Sequence, residues 1–163
     1  MSNINKKVTI GHVHLKVSNI DRSLDFYCGV LGFELKQRLG NQAAFIAAGD
    51  YLHHIGLNTW ESSGGGMPPP LGSTGLYHLA ILYPKRKDLA DALMRLQKNN
   101  IPLVGASDHG VSEALYLDDP DKNGVELYWD KPKDLWPYNK DNQLQMYTKA
   151  LDLKFLIAEL NLA

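Results

Sequence analysis

Two separated stretches of this chain, Gly11-His12-Val13-His14-Leu15 and Leu76-Tyr77-His78-Leu79-Ala80-Ile81, each carry a histidine three residues before a large aliphatic. Each is followed by one helical pattern and three strand-length runs, so the chain reads as two copies of a βαβββ unit. That duplication constrains the fold more than any other feature. A unit of this size cannot bury a sheet face alone, and pairing two of them makes one α+β domain with a cleft between sheets.

In the first copy, Val8 to Val17 alternates, with Val13, Leu15 and Val17 on one face and His12, His14 and Lys16 on the other. Ser18, Asn19 and Asp21 are helix-start residues. The helix they open carries Ile20, Leu24, Tyr27 and Leu31 on one face and stops near Gly29 to Gly32. Runs 33–39, 42–48 and 51–59 follow as strands, with Gly40-Asn41 and Gly49-Asp50 as turns. In the second copy, 75–83 is a strand, and Leu89, Leu93 and Leu96 mark a helix that ends before Asn99-Asn100 and Pro102. Strands at 102–108, 112–119 and 124–130 complete it, the last two joined by the Asp119 to Gly124 turn. The modules thus occupy about 8–60 and 75–132. Residues 61–74, rich in glycine and then proline, form a linker or flap between them, flexible at Gly64 to Gly66 and extended at Pro68 to Pro70. Beyond the repeat, 133–163 is a carboxy-terminal extension in which Leu151, Leu153, Phe155, Leu156, Ile157 and Leu160 indicate a helix.

Composition narrows the class of partner. Among 163 residues, 17 basic and 18 acidic side chains leave a formal charge of −1 with no block of like charge, which argues against nucleic acid. No apolar run approaches the roughly 18 residues of a membrane span. The lone Cys28 forms no internal disulfide, and the amino terminus lacks a secretory apolar stretch, so the expected location is the cytoplasm.

Five of the six histidines, 12, 14, 53, 54 and 78, fall in the predicted strands, and His109 falls outside them. His12 and His78 hold matching positions in the first strands of the two copies, so a pseudo-twofold pairing brings them to one cleft. In Gly124-Val125-Glu126-Leu127-Tyr128-Trp129, alternation puts Glu126 and Tyr128 on the face opposite Val125, Leu127 and Trp129. A carboxylate at such a position is either at a sheet edge in water or met by a cation or donor. Two neutral imidazoles and one carboxylate make a facial triad with open coordination positions, suited to Fe(II) first and acceptable to Mn(II) or Zn(II). A closed structural zinc site would need a fourth protein ligand, usually with more cysteines than this chain has.

The segments GHVHLKVSNIDRSLDFYCGVLGFEL, TGLYHLAILYP and DPDKNGVELYW resemble the vicinal oxygen chelate superfamily, which includes glyoxalase I, fosfomycin-resistance proteins and extradiol dioxygenases. The resemblance runs over about residues 8–132. Within it, HHIGLNTW, PPPLGSTGLYHLAILYP and GASDHGVSEALYL are most similar to one unit of the catechol 2,3-dioxygenase branch. It implies paired βαβββ modules forming a curved, half-open barrel around one divalent metal, with His12, His78 and Glu126 as its ligands. His14 lies about 7 Å from His12 along the strand, better placed to contact substrate than metal. Homodimerisation is a further family-level expectation.

Glyoxalase I takes a fourth metal-bound carboxylate as its base from the strand before the linker. Here that strand, Tyr51 to Thr59, holds no acid, which disfavours an isomerase. A fosfomycin-type thiol transferase remains open, although no basic cluster for a phosphonate is evident. Extradiol cleavage suits the triad better, because its open positions can hold both oxygens of a small aromatic diol together with dioxygen. That reaction also needs an imidazole to take a diol proton and return one later. His109 is the candidate, with His54 next and otherwise expected on the substrate. Tyr116 shares a face with Glu126 by parity, ten residues before it across a hairpin, and its hydroxyl could serve a metal-bound oxygen. Catechol 2,3-dioxygenases of this kind normally carry two such domains per chain, and this chain supplies one. A metal-free relative that merely encloses a ligand is the other class left open.

Overall fold

The computed structural model describes residues 3–65, 68–70 and 72–161. Gly66, Met67 and Leu71 of the linker and the last two residues of the tail lie outside the described residues. The chain divides into two compact units, Met1–Met67 and Pro68–Ala163, and the division falls inside the linker. Each unit holds one βαβββ module around its own sheet, in keeping with the α+β reading.

In the first unit, β1 (Val13–Lys16), β2 (Glu34–Leu39), β3 (Ala43–Ala47) and β4 (Ile55–Asn58) form a sheet of order β1-β4-β3-β2. β1 runs parallel to β4, and the other pairs are antiparallel. The helix α1 (Ile20–Leu24) starts at Asn19, whose side chain accepts from the Arg22 amide at 2.9 Å. It continues as a π-helical stretch, Asp25–Val30, and ends before Gly32, whose φ of 88° only glycine adopts freely. Leu15, Val17, Ile20, Phe26, Tyr27, Ile46, Ile55 and Leu57 are buried and form this unit's core. After β4 the chain is tied back to β1. Glu61 pairs with Lys16, the Ser62 hydroxyl donates to the Val17 carbonyl at 2.8 Å, and the Gly64 amide donates to the Ser18 carbonyl at 3.1 Å. The beginning of the glycine-rich segment is therefore strapped down.

The second unit repeats the plan. β5 (Leu79–Leu82), β6 (Gly105–Asp108), β7 (Ser112–Asp118) and β8 (Gly124–Asp130) take the order β5-β8-β7-β6, with β5 parallel to β8. α2 (Arg86–Lys98) buries Leu89, Leu93 and Leu96 together with Ala90 and Ala92, and packs on β8. The β7–β8 turn is organised by Asp119, whose Oδ1 accepts from the amides of Asp121 and Asn123, both at 2.8 Å.

The tail adds what the repeat lacks. β9 (Lys149–Ala150) extends the second sheet beyond β6, and α3 (Leu153–Ala158), capped by Asp152, packs on α2. Leu156 is fully buried there, and truncating it to alanine would cost about 2–5 kcal/mol. Arg86 bridges Glu113 on β7 at 2.7 Å and Glu159 of the tail at 2.6 Å. The helix read over 151–160 is present, whereas β9 was not foreseen. No helix among the described residues is long and apolar enough to cross a membrane.

Candidate metal centre

Glu126 lies in the middle of β8, between Ala80 on β5 and Tyr116 on β7. β8 is a central strand, which removes the sheet-edge explanation for this carboxylate. Cross-strand partners face the same way, so Val125 and Leu127 turn into the core while Glu126 projects with Tyr116 from the other face. One carboxylate oxygen, Oε1, accepts the Tyr116 hydroxyl at 2.9 Å, and the other, Oε2, meets His78 Nε2 at 2.9 Å. The Tyr116 hydroxyl is also 2.8 Å from His109 Nε2. Burial, followed by the hydrogen bond and charge of Glu126, pushes the Tyr116 phenol up to about 12. On its far side, His109 Nδ1 faces the Tyr147 carbonyl and the Thr148 hydroxyl, each at 3.2 Å. Four side chains singled out in the sequence, His78, Glu126, Tyr116 and His109, therefore form one unbroken run.

His78 is positioned by a glycine. It precedes β5 by one residue, and Gly124 precedes Val125, the partner of Leu79. A Cβ on Gly124 would lie 2.3 Å from the Tyr77 carbonyl oxygen and 3.2 Å from the Cβ of His78. Only glycine permits this approach. The His78 Nδ1 is buried without a hydrogen-bond partner among the described residues.

The first unit gathers a different set. The rings of His12 and His53 are 4.5 Å apart, His53 lies 5.1 Å from Phe45, and His14 lies 6.0 Å from Phe45 and 5.3 Å from Trp60. His14 stands over Gly56, its partner on β4, where a Cβ would come within 2.9 Å of the imidazole. Burial, then the charges of His12 and His53, lowers the His14 pKa, favouring the neutral ring. His54 stands apart from this group. It stacks on Tyr51 at 4.6 Å, and its Nδ1 accepts the Ala48 amide at 3.3 Å, which fastens the β3–β4 connection.

The strand assignment of the histidines needs correction. Of the five placed in strands, only His14 lies inside one. His12 and His78 each sit one residue before theirs, because the parallel ladders open at Val13 with Ile55 and at Leu79 with Val125. His53 and His54 occupy the approach to β4. Sequence reasoning passed over His53 and Phe45 as members of a ring cluster, and Tyr147 and Thr148 as neighbours of His109. Gly56 inside an otherwise apolar strand was the available signal for close approach of another group. The polar run before β9 carried none.

His78 and Glu126 suit a divalent ion. An imidazole nitrogen and a carboxylate oxygen already approach one another, and Tyr116 holds the second oxygen as an outer hydrogen bond orients a ligand. Within neither unit, among the described residues, do three His, Cys, Asp or Glu side chains gather as a metal-binding group. The pair alone is an incomplete site.

Fold and sequence comparisons agree on the class. Residues 9–127 match the model of the Glyoxalase/Bleomycin resistance protein/Dioxygenase superfamily, and the chain belongs to that superfamily. A catechol-2,3-dioxygenase of Bacillus subtilis (strain 168) is 40% identical over 159 residues, covering 98% of this chain and 54% of that protein. A biphenyl-2,3-diol 1,2-dioxygenase of Rhodococcus globerulus is 32% identical over 122 residues, covering 74% of this chain and 63% of that one. The chain thus spans between half and two thirds of the length of these dioxygenases. A solved glyoxalase/dioxygenase of Nostoc punctiforme superposes with a TM-score of 0.63 at 20% identity, over 80% of this chain and all of that one, a likeness of fold.

Proposed function

We propose that this chain is a metal-dependent extradiol dioxygenase that opens the ring of a small catecholic substrate. The observation that carries the reading is the run His78–Glu126–Tyr116–His109, which joins an imidazole–carboxylate pair to a hydroxyl and a second imidazole. The likeness to dioxygenases acting on vicinal diols supports it. His78 and Glu126 would hold the ion, and His12 of the first unit is assigned as the third ligand. Fe(II) is the metal that best suits two imidazoles and a carboxylate with open positions, with Mn(II) or Zn(II) as alternatives. When bound, the ion would supply Lewis acidity toward the diol and a means of activating dioxygen.

The protein's own part is protonic and steric. Tyr116 keeps its proton far above neutral pH and offers it as a hydrogen bond. His109, in contact with Tyr116, is the group assigned to take a proton from the substrate and return one later. The neutral His14 ring, beside Phe45 and Trp60, supplies a flat, weakly polar surface for an aromatic ring, and His14 is assigned as a substrate contact. His54, assigned to the same role in the sequence, has less support, since its ring is engaged by Tyr51 and the Ala48 amide.

The reading is tested by loading anaerobically purified protein with Fe(II) and following oxygen uptake against a panel of catechols. Stoichiometric uptake with a ring-opened product is the expected result. Metal binding without uptake on any catechol would leave the fold and overturn the reaction.

A further inference from the structure

The carboxy-terminal extension lies outside the duplicated modules, yet it touches the hydrogen-bonded run at His109. We infer that it serves as a positioning element for the reaction, with the backbone carbonyl of Tyr147 fixing the proton of His109 on Nδ1 so that Nε2 is presented as a base to Tyr116. This inference rests on the proposed dioxygenase reading.

A carbonyl oxygen can only accept. The Tyr147 oxygen lies 3.2 Å from His109 Nδ1, so an unprotonated Nδ1 would set lone pair against lone pair, and the Nδ1–H tautomer is favoured. Thr148 Oγ1, also at 3.2 Å, can accept the same proton, but being a hydroxyl it could equally donate and so decides nothing by itself. With Nδ1 protonated, a neutral His109 exposes a lone pair at Nε2, 2.8 Å from the Tyr116 hydroxyl. The one Tyr116 proton, donated to Glu126 Oε1 at 2.9 Å, then has a second acceptor within reach in His109 Nε2, and only one of the two contacts can hold it at a time. The tail thereby poises the phenol proton between the carboxylate and the imidazole.

The tail is held firmly enough to do this. The Tyr147 amide donates back to the His109 carbonyl at 3.2 Å, and β9 pairs with β6 through Asp108 with Lys149 and Ser107 with Ala150. Gly110, at φ 80°, lets Tyr147 pack directly over the loop, since a Cβ there would lie 2.8 Å from the tyrosine ring. Downstream of β9, buried Leu156 and the Arg86–Glu159 pair anchor α3 and the short helical turn Glu159–Asn161 after it. Residues beyond the duplicated fold thus orient a group inside it, much as an outer hydrogen bond orients a histidine in a metal or catalytic site.

The test reads the tautomer of His109 by nuclear magnetic resonance in the metal-free full chain, using histidine labelled with the heavy nitrogen isotope and His109→Gln to assign the signal. The expected result is a protonated Nδ1 and an unprotonated Nε2 at a pH where the ring is neutral. Thr148→Val should keep that tautomer, because the carbonyl remains. Lys149→Pro, which interrupts the β9–β6 ladder, should mix the tautomers and, in the Fe(II)-loaded protein, lower kcat about ten- to hundredfold with KM little changed. A wild-type ring protonated at Nε2, a switch on Thr148→Val, or an unchanged tautomer in folded Lys149→Pro would each overturn the inference. If Lys149→Pro does not fold, the first two readings still decide. Since the tautomer is read without substrate or metal, its failure is distinguishable from failure of the dioxygenase reading, which would appear as absent oxygen uptake beside the expected tautomer.

Discussion

The two sheets place corresponding rows of residues at the same register and fill them oppositely. In the first unit the row across β1, β4 and β3 is His14, Gly56 and Phe45, whereas in the second the row across β5, β8 and β7 is Ala80, Glu126 and Tyr116. In each row a polar side chain stands beside a small partner, an imidazole over glycine in one and a carboxylate beside alanine in the other. One backbone plan therefore presents a ring surface in one copy and a polar, proton-bearing surface in the other. The absence of an acid from the first row is a property of Gly56, the register equivalent of Glu126, and it is the same absence that argues against an isomerase with a second carboxylate.

Breaking the polar row should have the largest effect. Glu126→Gln is expected to lower Fe(II) affinity and oxygen uptake by at least about a hundredfold, while unfolding in urea changes little. Equal activity in this variant would detach the row from catalysis.

The two glycines sharpen the contrast. Gly124→Ala drives a Cβ against the Tyr77 backbone, so it should cost about 1–3 kcal/mol in denaturant unfolding and weaken metal binding by displacing His78. Gly56→Ala meets the His14 side chain first rather than backbone, so its cost should be smaller than that of Gly124→Ala and show as a raised KM. Similar penalties for the two would mean that the rows are held alike.

Much of this was legible in the residues. The repeat shows because both copies alternate with period two and are punctuated by glycine turns such as Gly40 and Gly49, both at positive φ. The face shared by Glu126 and Tyr116 follows from parity, and they are direct cross-strand partners. What escaped depends on tertiary context. A two-residue strand such as β9 has too few positions to show a period, and it exists because β6 offers an edge. The π-helical turn after α1 is likewise invisible to spacing. The separation of His54 from its neighbour His53 turns on one side-chain direction at the entry to a strand, where alternation has not yet begun.

Two smaller effects probe the charge states of the rows. Tyr116→Phe should remove the phenol that titrates near 12, leaving the rest of the ultraviolet phenolate titration unchanged below that pH. His14 takes its proton near 6.5 when unfolded and at lower pH when folded, so between those values the unfolded chain binds more protons. Its contribution makes the fold less stable as pH falls below 6.5, an effect complete once pH is under the folded value. Melting temperatures of His14→Gln should therefore decline less steeply on acidification than those of the wild type.

The central proposal is that one divalent ion is bound through His78 and Glu126, with His12 as the third proposed ligand. Anaerobic Fe(II) titration of the wild type, His12→Ala and His78→Ala measures this directly. One tightly held ion per chain, lost in both variants, is the predicted result, and undiminished binding in His12→Ala would contradict it.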